Sequence, residues 1–214
     1  MKNSTYFVGA LMLVLVFGAA QATYAVDAIP YQTPGIYNPA VVNFTANGVE
    51  VIAYFAGSSA SFTNELGLLV NGVDTGIFGL NNHTSNLGDH LSFGSPANGS
   101  TLVFVMNNLS LNEKVFSDPN MNHTYDGFIG NNNHIYATDY TANPSIDAIL
   151  PPGIYVGFED MPFNNAHGTT DFDYNDEQFI FTSVSTKVPE PSSILLLGAG
   201  LLGAGLLRRK IRLS

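Results

Sequence analysis

The residues best suited to do chemistry lie in Gly157-Phe158-Glu159-Asp160, and, after a loop, in Asp171-Phe172-Asp173-Tyr174-Asn175-Asp176-Glu177. In an extended second segment successive side chains alternate, which puts Asp171, Asp173 and Asn175 on one side and Phe172 and Tyr174 on the other. One face is then a row of oxygens and the other an anchor in the core. Hard cations such as Ca²⁺ take about six to eight oxygen ligands, and Glu159, Asp160, Asp171, Asp173, Asn175 and Asp176 are the candidate set. The spacing is not that of an EF-hand, whose loop requires Gly where Asp176 stands and a bidentate Glu where this chain has Thr182. Asp and Asn also build turns, and acidic loops are often simply solvated, so residue types alone leave both readings open.

The same carboxylates suggest the paired acids of a glycoside hydrolase, but such enzymes line a cleft with Trp and Arg, and this chain has no Trp. His83, His90, His123, His134 and His167 show no zinc spacing, and no G-x-S-x-G elbow is present. A non-enzymatic protein is expected, with hydrolysis as a remote alternative.

The elements that must hold the acidic segment read as strands. Ala40 to Thr45 and Val49 to Phe55 are separated by Ala46-Asn47-Gly48, and Leu66 to Val70 meets Val73 to Phe78 across Asn71-Gly72, a dipeptide that suits a type I′ hairpin. Both pairs are expected to be hairpins. Further strands are expected at Leu91 to Phe93, Thr101 to Met106, Asp126 to Ile129, Ile135 to Thr138, Gly153 to Glu159 and Gln178 to Val184, with a short helix near Ser145 to Ile149. Many short strands at this spacing predict an all-β fold, a single jelly-roll-like β-sandwich over 26–184. Sequons begin at Asn43, Asn82, Asn98, Asn108 and Asn122; with this much Asn, Ser and Thr several arise by chance, and glycosylation at any of them presupposes a dedicated transferase.

The seven Lys and Arg are unevenly placed: Lys2 lies at the start, Arg208, Arg209, Lys210 and Arg212 at the end, and only Lys114 and Lys187 between. All of the seventeen acids except Glu190 share that middle section. Nucleic acid is excluded as a partner, because nothing there neutralises phosphates, and cations are the natural counterpart. With no cysteine, disulfides, thiol catalysis and thiolate metal sites are excluded together.

The two ends read as addresses. Lys2, the apolar run from Tyr6 to Ala20 and small residues before Val26 predict a signal peptide over 1–25, cut after Ala25. At the other end, a linker over 185–193 holds Pro189-Glu190-Pro191, which no helix runs through, and Ser192 or Ser193 caps a helix beginning at Ile194. At about 1.5 Å per residue the apolar run to Leu207 covers roughly 21 Å, short of a hydrocarbon core of roughly 30 Å. A transient membrane anchor is expected of 194–214, with its basic end on the cytoplasmic side.

Pro-Glu-Pro, a short Leu/Gly/Ala helix and Arg208-Arg209-Lys210 together resemble the PEP-CTERM proteins of Gram-negative bacteria. That resemblance implies a membrane-embedded processing protease, the exosortase, as partner and an exopolysaccharide-producing, biofilm-forming host. It makes Pro189, Glu190, Pro191, Arg208, Arg209 and Lys210 the sorting signal. Residues 151–184 also resemble a bacterial surface domain of unassigned function that often precedes such tails, with Thr170 where that pattern has Ser. This second resemblance implies a Ca²⁺-stabilised β-domain with the six ligands named above.

Two readings follow for the middle section. In one it is a structural protein of the cell surface or matrix. In the other it is a lectin-like carbohydrate-binding module, with Tyr31, Tyr37, Tyr125, Tyr136 or Tyr140 stacking on sugar rings. Tyrosines gathered around one groove favour the lectin, and tyrosines buried in the core favour the structural protein.

Overall fold

The computed structural model describes residues 35–130, 132–141, 149–164, 168 and 170–187. The expected signal peptide and its Ala25 cleavage point, Tyr31, residues 145–148 of the expected helix, and the Pro-Glu-Pro and basic residues of the tail lie outside them. No helix among the described residues is long and apolar enough to cross a membrane.

Among the described residues, eleven strands form two antiparallel sheets packed face to face, the expected β-sandwich. They are β1 (Asn43–Ala46), β2 (Ile52–Gly57), β3 (Asn64–Val70), β4 (Val73–Gly79), β5 (His90–Ser92), β6 (Thr101–Asn108), β7 (Glu113–Phe116), β8 (Ile135–Tyr140), β9 (Gly153–Phe158), β10 (Glu177–Thr182) and β11 (Val184–Lys187). The first sheet runs β11-β1-β6-β3-β4, with β7 beside the far half of β6, and the second runs β5-β2-β10-β9-β8. Alternation along the strands fills the space between them. Phe44, Leu66, Leu68, Leu102, Phe104 and Met106 from the first sheet meet Ala53, Phe55, Ile154, Val156, Phe158, Phe179 and Phe181 from the second. Phe104 and Phe181 stack across the interface with centroids 3.7 Å apart.

β3 and β4 form the expected hairpin, with Asn71 and Gly72 both at positive φ, as a type I′ turn requires. The other expected hairpin does not exist. β1 pairs with β6 and β11 in one sheet, while β2 pairs with β5 and β10 in the other, so Asn47 to Val51 carries the chain across the sandwich. Both strands place one side on the shared core, and that pattern does not say which sheet each joins. The strand expected from Asp126 is instead the end of a one-turn helix, α1 (His123–Asp126), closed by Gly127 in the left-handed region. Ser183, at φ 63, splits the expected last strand in two, and Ser185 to Lys187, expected in the linker, pair with β1 as β11. Two sequon asparagines, Asn108 and Asn122, are wholly buried.

Beyond β9 the chain loops out and returns through 170–176 across the end of the second sheet. The returning backbone comes so close that a Cβ added at Gly157 would lie 2.2 Å from the Tyr174 carbonyl oxygen. Glycine is needed there because a side chain would push the acidic loop off the sheet. Gly157→Ala is expected to cost about 3 kcal/mol through overpacking against backbone. A melting temperature lowered by about 10 °C in a thermal scan would correspond to that loss.

Candidate metal centre

Glu159 and Asp160 leave the end of β9 in opposite directions. The Glu159 backbone is clamped to His134, its N–H donating to the His134 carbonyl at 2.9 Å and its carbonyl facing His134 Nδ1 at 2.9 Å. Its side chain takes hydrogen bonds from the Thr170 hydroxyl and the Tyr174 N–H, while the second oxygen, Oε2, meets no protein donor although the residue is 1% exposed. Asp160 turns to the first sheet, where Oδ2 accepts from Asn64 Nδ2 at 2.7 Å, and its carbonyl accepts from the Tyr125 hydroxyl at 2.6 Å.

The segment expected to be extended is not a strand. Phe172 and Tyr174 each sit at φ 53, a region bulky residues rarely enter, so conformation as well as side-chain direction alternates along it. The aromatic anchors hold as expected. Tyr174 is buried and its hydroxyl accepts from Asn38 N at 2.8 Å, while Phe172 packs against Tyr37 and Phe163. Asp173 Oδ1 accepts from Asn175 N at 3.1 Å, an Asx turn, and Oδ2 from Asn175 Nδ2 at 2.5 Å. The loop is tied down by Gly35 N to the Asp171 carbonyl and Ser59 N to the Asn175 carbonyl.

This folding brings one oxygen each from Glu159, Asp171 and Asp173 within 4.8 Å of one another. Asp160 and Asp176 lie beside the three as a second pair. The Asp160 N–H donates to Asp176 Oδ2 at 2.7 Å, and their carboxyl groups share a hydrogen bond. Asn175 donates its amide nitrogen to Asp173, which leaves its Oδ1 free of that bond. Glu159, Asp160, Asp171 and Asp176 together face the Ser59–Phe62 loop across a cavity of about 350 Å³.

The site is strongly unbalanced in charge. Burial pushes Glu159 up to about 7, with the charges of Asp171 and Asp173 adding to it, and pushes Asp176 up to about 9, helped by Asp160 and Glu159. Burial also raises Asp160 and Asp173. Lys114 is paired with Asp74 at 3.2 Å, and Lys187 ends β11. His134 lies close by, wholly buried, its Nε2 3.0 and 3.1 Å from the two oxygens of Asp126 and its Nδ1 facing the Glu159 carbonyl. Burial works to raise Asp126, but His134, the Phe163 N–H and the Asn132 amide outweigh it and hold the carboxyl below its usual range.

Asn64 carried no signal in the sequence, whereas Thr170 stood beside the acidic segment where the resembled pattern has Ser. Asn64, Thr170, Asp126 and His134 come to the site from four separate segments. Of the tyrosines, Tyr125 and Tyr140 are buried, Tyr37 packs edge-on to Phe163 and Phe172, and Tyr136 lies against Tyr155.

Residues 187–210 match the family of the PEP-CTERM protein-sorting motif. The match takes in Pro189, Glu190, Pro191, Arg208, Arg209 and Lys210. Such a motif directs export and sorting by exosortase in Gram-negative bacteria, with anchoring at the membrane in transit and then processing. No curated protein and no solved structure matches the chain.

The raised carboxyls fix the sign of a pH dependence. In cation-free buffer the folded protein keeps protons on Glu159 and Asp176 that the unfolded chain gives up from about pH 4 upward. The unfolded state then binds fewer protons, so stability falls with rising pH until the folded values near 7 and 9 are passed. In chelator the melting temperature is expected to decline steadily from about pH 5 to about pH 9. A profile flat across that range would contradict the burial of these groups. Asp126, held low, contributes in the opposite sense, its stabilisation being lost only in more acid solution.

Proposed function

We propose that the chain is a structural protein of the cell surface or extracellular matrix of a biofilm-forming bacterium. Its sorting signal delivers it through exosortase into an exopolysaccharide layer, and its sandwich is stabilised by Ca²⁺ at the acidic end. The observation that carries this reading is the convergence of Glu159, Asp171 and Asp173, together with a buried Glu159 oxygen that meets no protein donor. A divalent ion there offsets the repulsion of three carboxylates and completes that oxygen. All the donors are oxygens, as hard cations prefer, and thiolate or imidazole donors that would favour zinc are missing from the trio. Asp160 and Asp176 stand close enough along the same cavity to add carboxylate or water-bridged ligands.

The tyrosines favour this reading over the lectin-like one. Those named for sugar stacking that are described here are committed to packing or hydrogen bonding, and Tyr125 supports the Asp160 carbonyl directly. We read the domain as non-catalytic: its raised carboxyls are crowded against one another rather than set across a substrate cleft.

The test is thermal unfolding of the purified full-length chain in millimolar Ca²⁺ and in excess chelator. A ligand at a hundred times its Kd stabilises the folded state by about 2.7 kcal/mol. For a domain of this size that raises the melting temperature by about 5–10 °C. The double substitution Asp171→Ala with Asp173→Ala is expected to remove most of that difference. Equal melting in Ca²⁺ and chelator for the unaltered chain would return these carboxylates to an ordinary solvated loop.

A further inference from the structure

We propose that Glu177, Asn64 and Asp160 form a second divalent-cation site, buried between the two sheets behind the first. The proposal shares the acidic end with the reading above and extends it to a second ion. Glu177 opens β10 opposite Phe158 of β9, and period-two alternation puts it on the same side as Phe179 and Phe181, facing the first sheet. It is 0% exposed, and neither of its carboxylate oxygens meets a protein hydrogen-bond donor. The charges that bear on it are those of Asp160, Glu65 and Asp176, all of its own sign.

Asn64 supplies an independent pointer. It opens β3 on the inward face shared with Leu66 and Leu68, and it too is 0% exposed. Its Nδ2 donates to Asp160 Oδ2 at 2.7 Å, which fixes the amide's orientation, yet Oδ1 is buried without a donor. A neutral acceptor and a carboxylate both left unmet, the one bonded through its amide to Asp160 and the other under the charge of Asp160, cost free energy that protein–protein packing here does not recover. A proton on Glu177 shared with one acceptor still leaves the second carboxyl oxygen without a donor, whereas a hard cation engages several oxygens at once.

Asp160 divides the two sites. The partners of Glu159 are Thr170 and Tyr174 on the returning loop, while those of Asp160 are Asn64 and Tyr125 on the opposite side. The first ion thus ties the loop to the second sheet, and the second joins the sheets themselves, with Glu177 from one and Asn64 from the other. In a chain without cysteine this is a cross-link between layers made of oxygen ligands.

The experiment is equilibrium binding of Ca²⁺ to the purified full-length chain near neutral pH, read as equivalents per chain, with Glu177→Gln and Glu159→Gln alongside. Two equivalents in the unaltered chain and one in each variant are expected. A single equivalent that Glu177→Gln keeps and Glu159→Gln loses overturns the second site and leaves the first standing. A single equivalent lost only in Glu177→Gln supports the second site and removes the first. Two equivalents retained in Glu177→Gln overturn the proposal, as does none in the unaltered chain. Should Glu177→Gln not fold, Asn64→Ala decides: loss of one of two equivalents supports the site, and two equivalents of unchanged affinity overturn it.

Discussion

A carboxylate withdrawn from water costs several kcal/mol unless a counter-charge or enough donors replace the lost hydration. Glu159, Asp160 and Glu177 are buried at one end of this sandwich, with Asp176 half-buried beside them, and the His134 imidazole next to them is already committed to Asp126. Much of the surrounding architecture answers that imbalance. Donors come from Asn64 on β3, from Thr170 and the Tyr174 N–H on the returning loop, and from the Asp160 N–H after β9. The hydrophobic core sets the sheets in place, and the acidic end then decides how the long return loop lies upon them.

The wall behind the site is built from buried polar side chains rather than from strand. Asn122 bridges the Phe116 backbone and the Asn132 carbonyl, and Asn133 Nδ2 reaches the carbonyls of Asn38, Ala40 and Ile135. His134 lies flat on Phe163 at 3.9 Å and holds Glu159 by its backbone. Networks of this kind fix one arrangement because any shift strands several buried groups together. They explain how a segment with almost no regular structure presents carboxylates at a defined spacing.

The sequence made the fold class readable because periodicity and turn chemistry are local. Asn71-Gly72 named its own turn, and the acidic cluster stood out from its residue types. Sheet membership was not readable, since β1 and β2 bury one face alike and only long-range pairing assigns them to different layers. The Asp171 to Asn175 segment misled in the same way, because its alternating residues mimic a strand while Phe172 and Tyr174 occupy the left-handed region. Asn64 lies 96 positions from Asp160 along the chain, and no spacing rule reaches so far. Charge imbalance was visible in composition, but its concentration behind β10, around Glu177, was a property of folding alone.

The last backbone ladder of the sandwich ends where the sorting motif begins. Lys187 pairs with Asn43 as the terminal rung between β11 and β1, and it is also the first residue of the matched motif. Severing the chain anywhere beyond Lys187 therefore leaves every described rung of both sheets in place. The described sheets and the sorting motif meet at this one residue, a seam at which processing leaves intact what those sheets hold together.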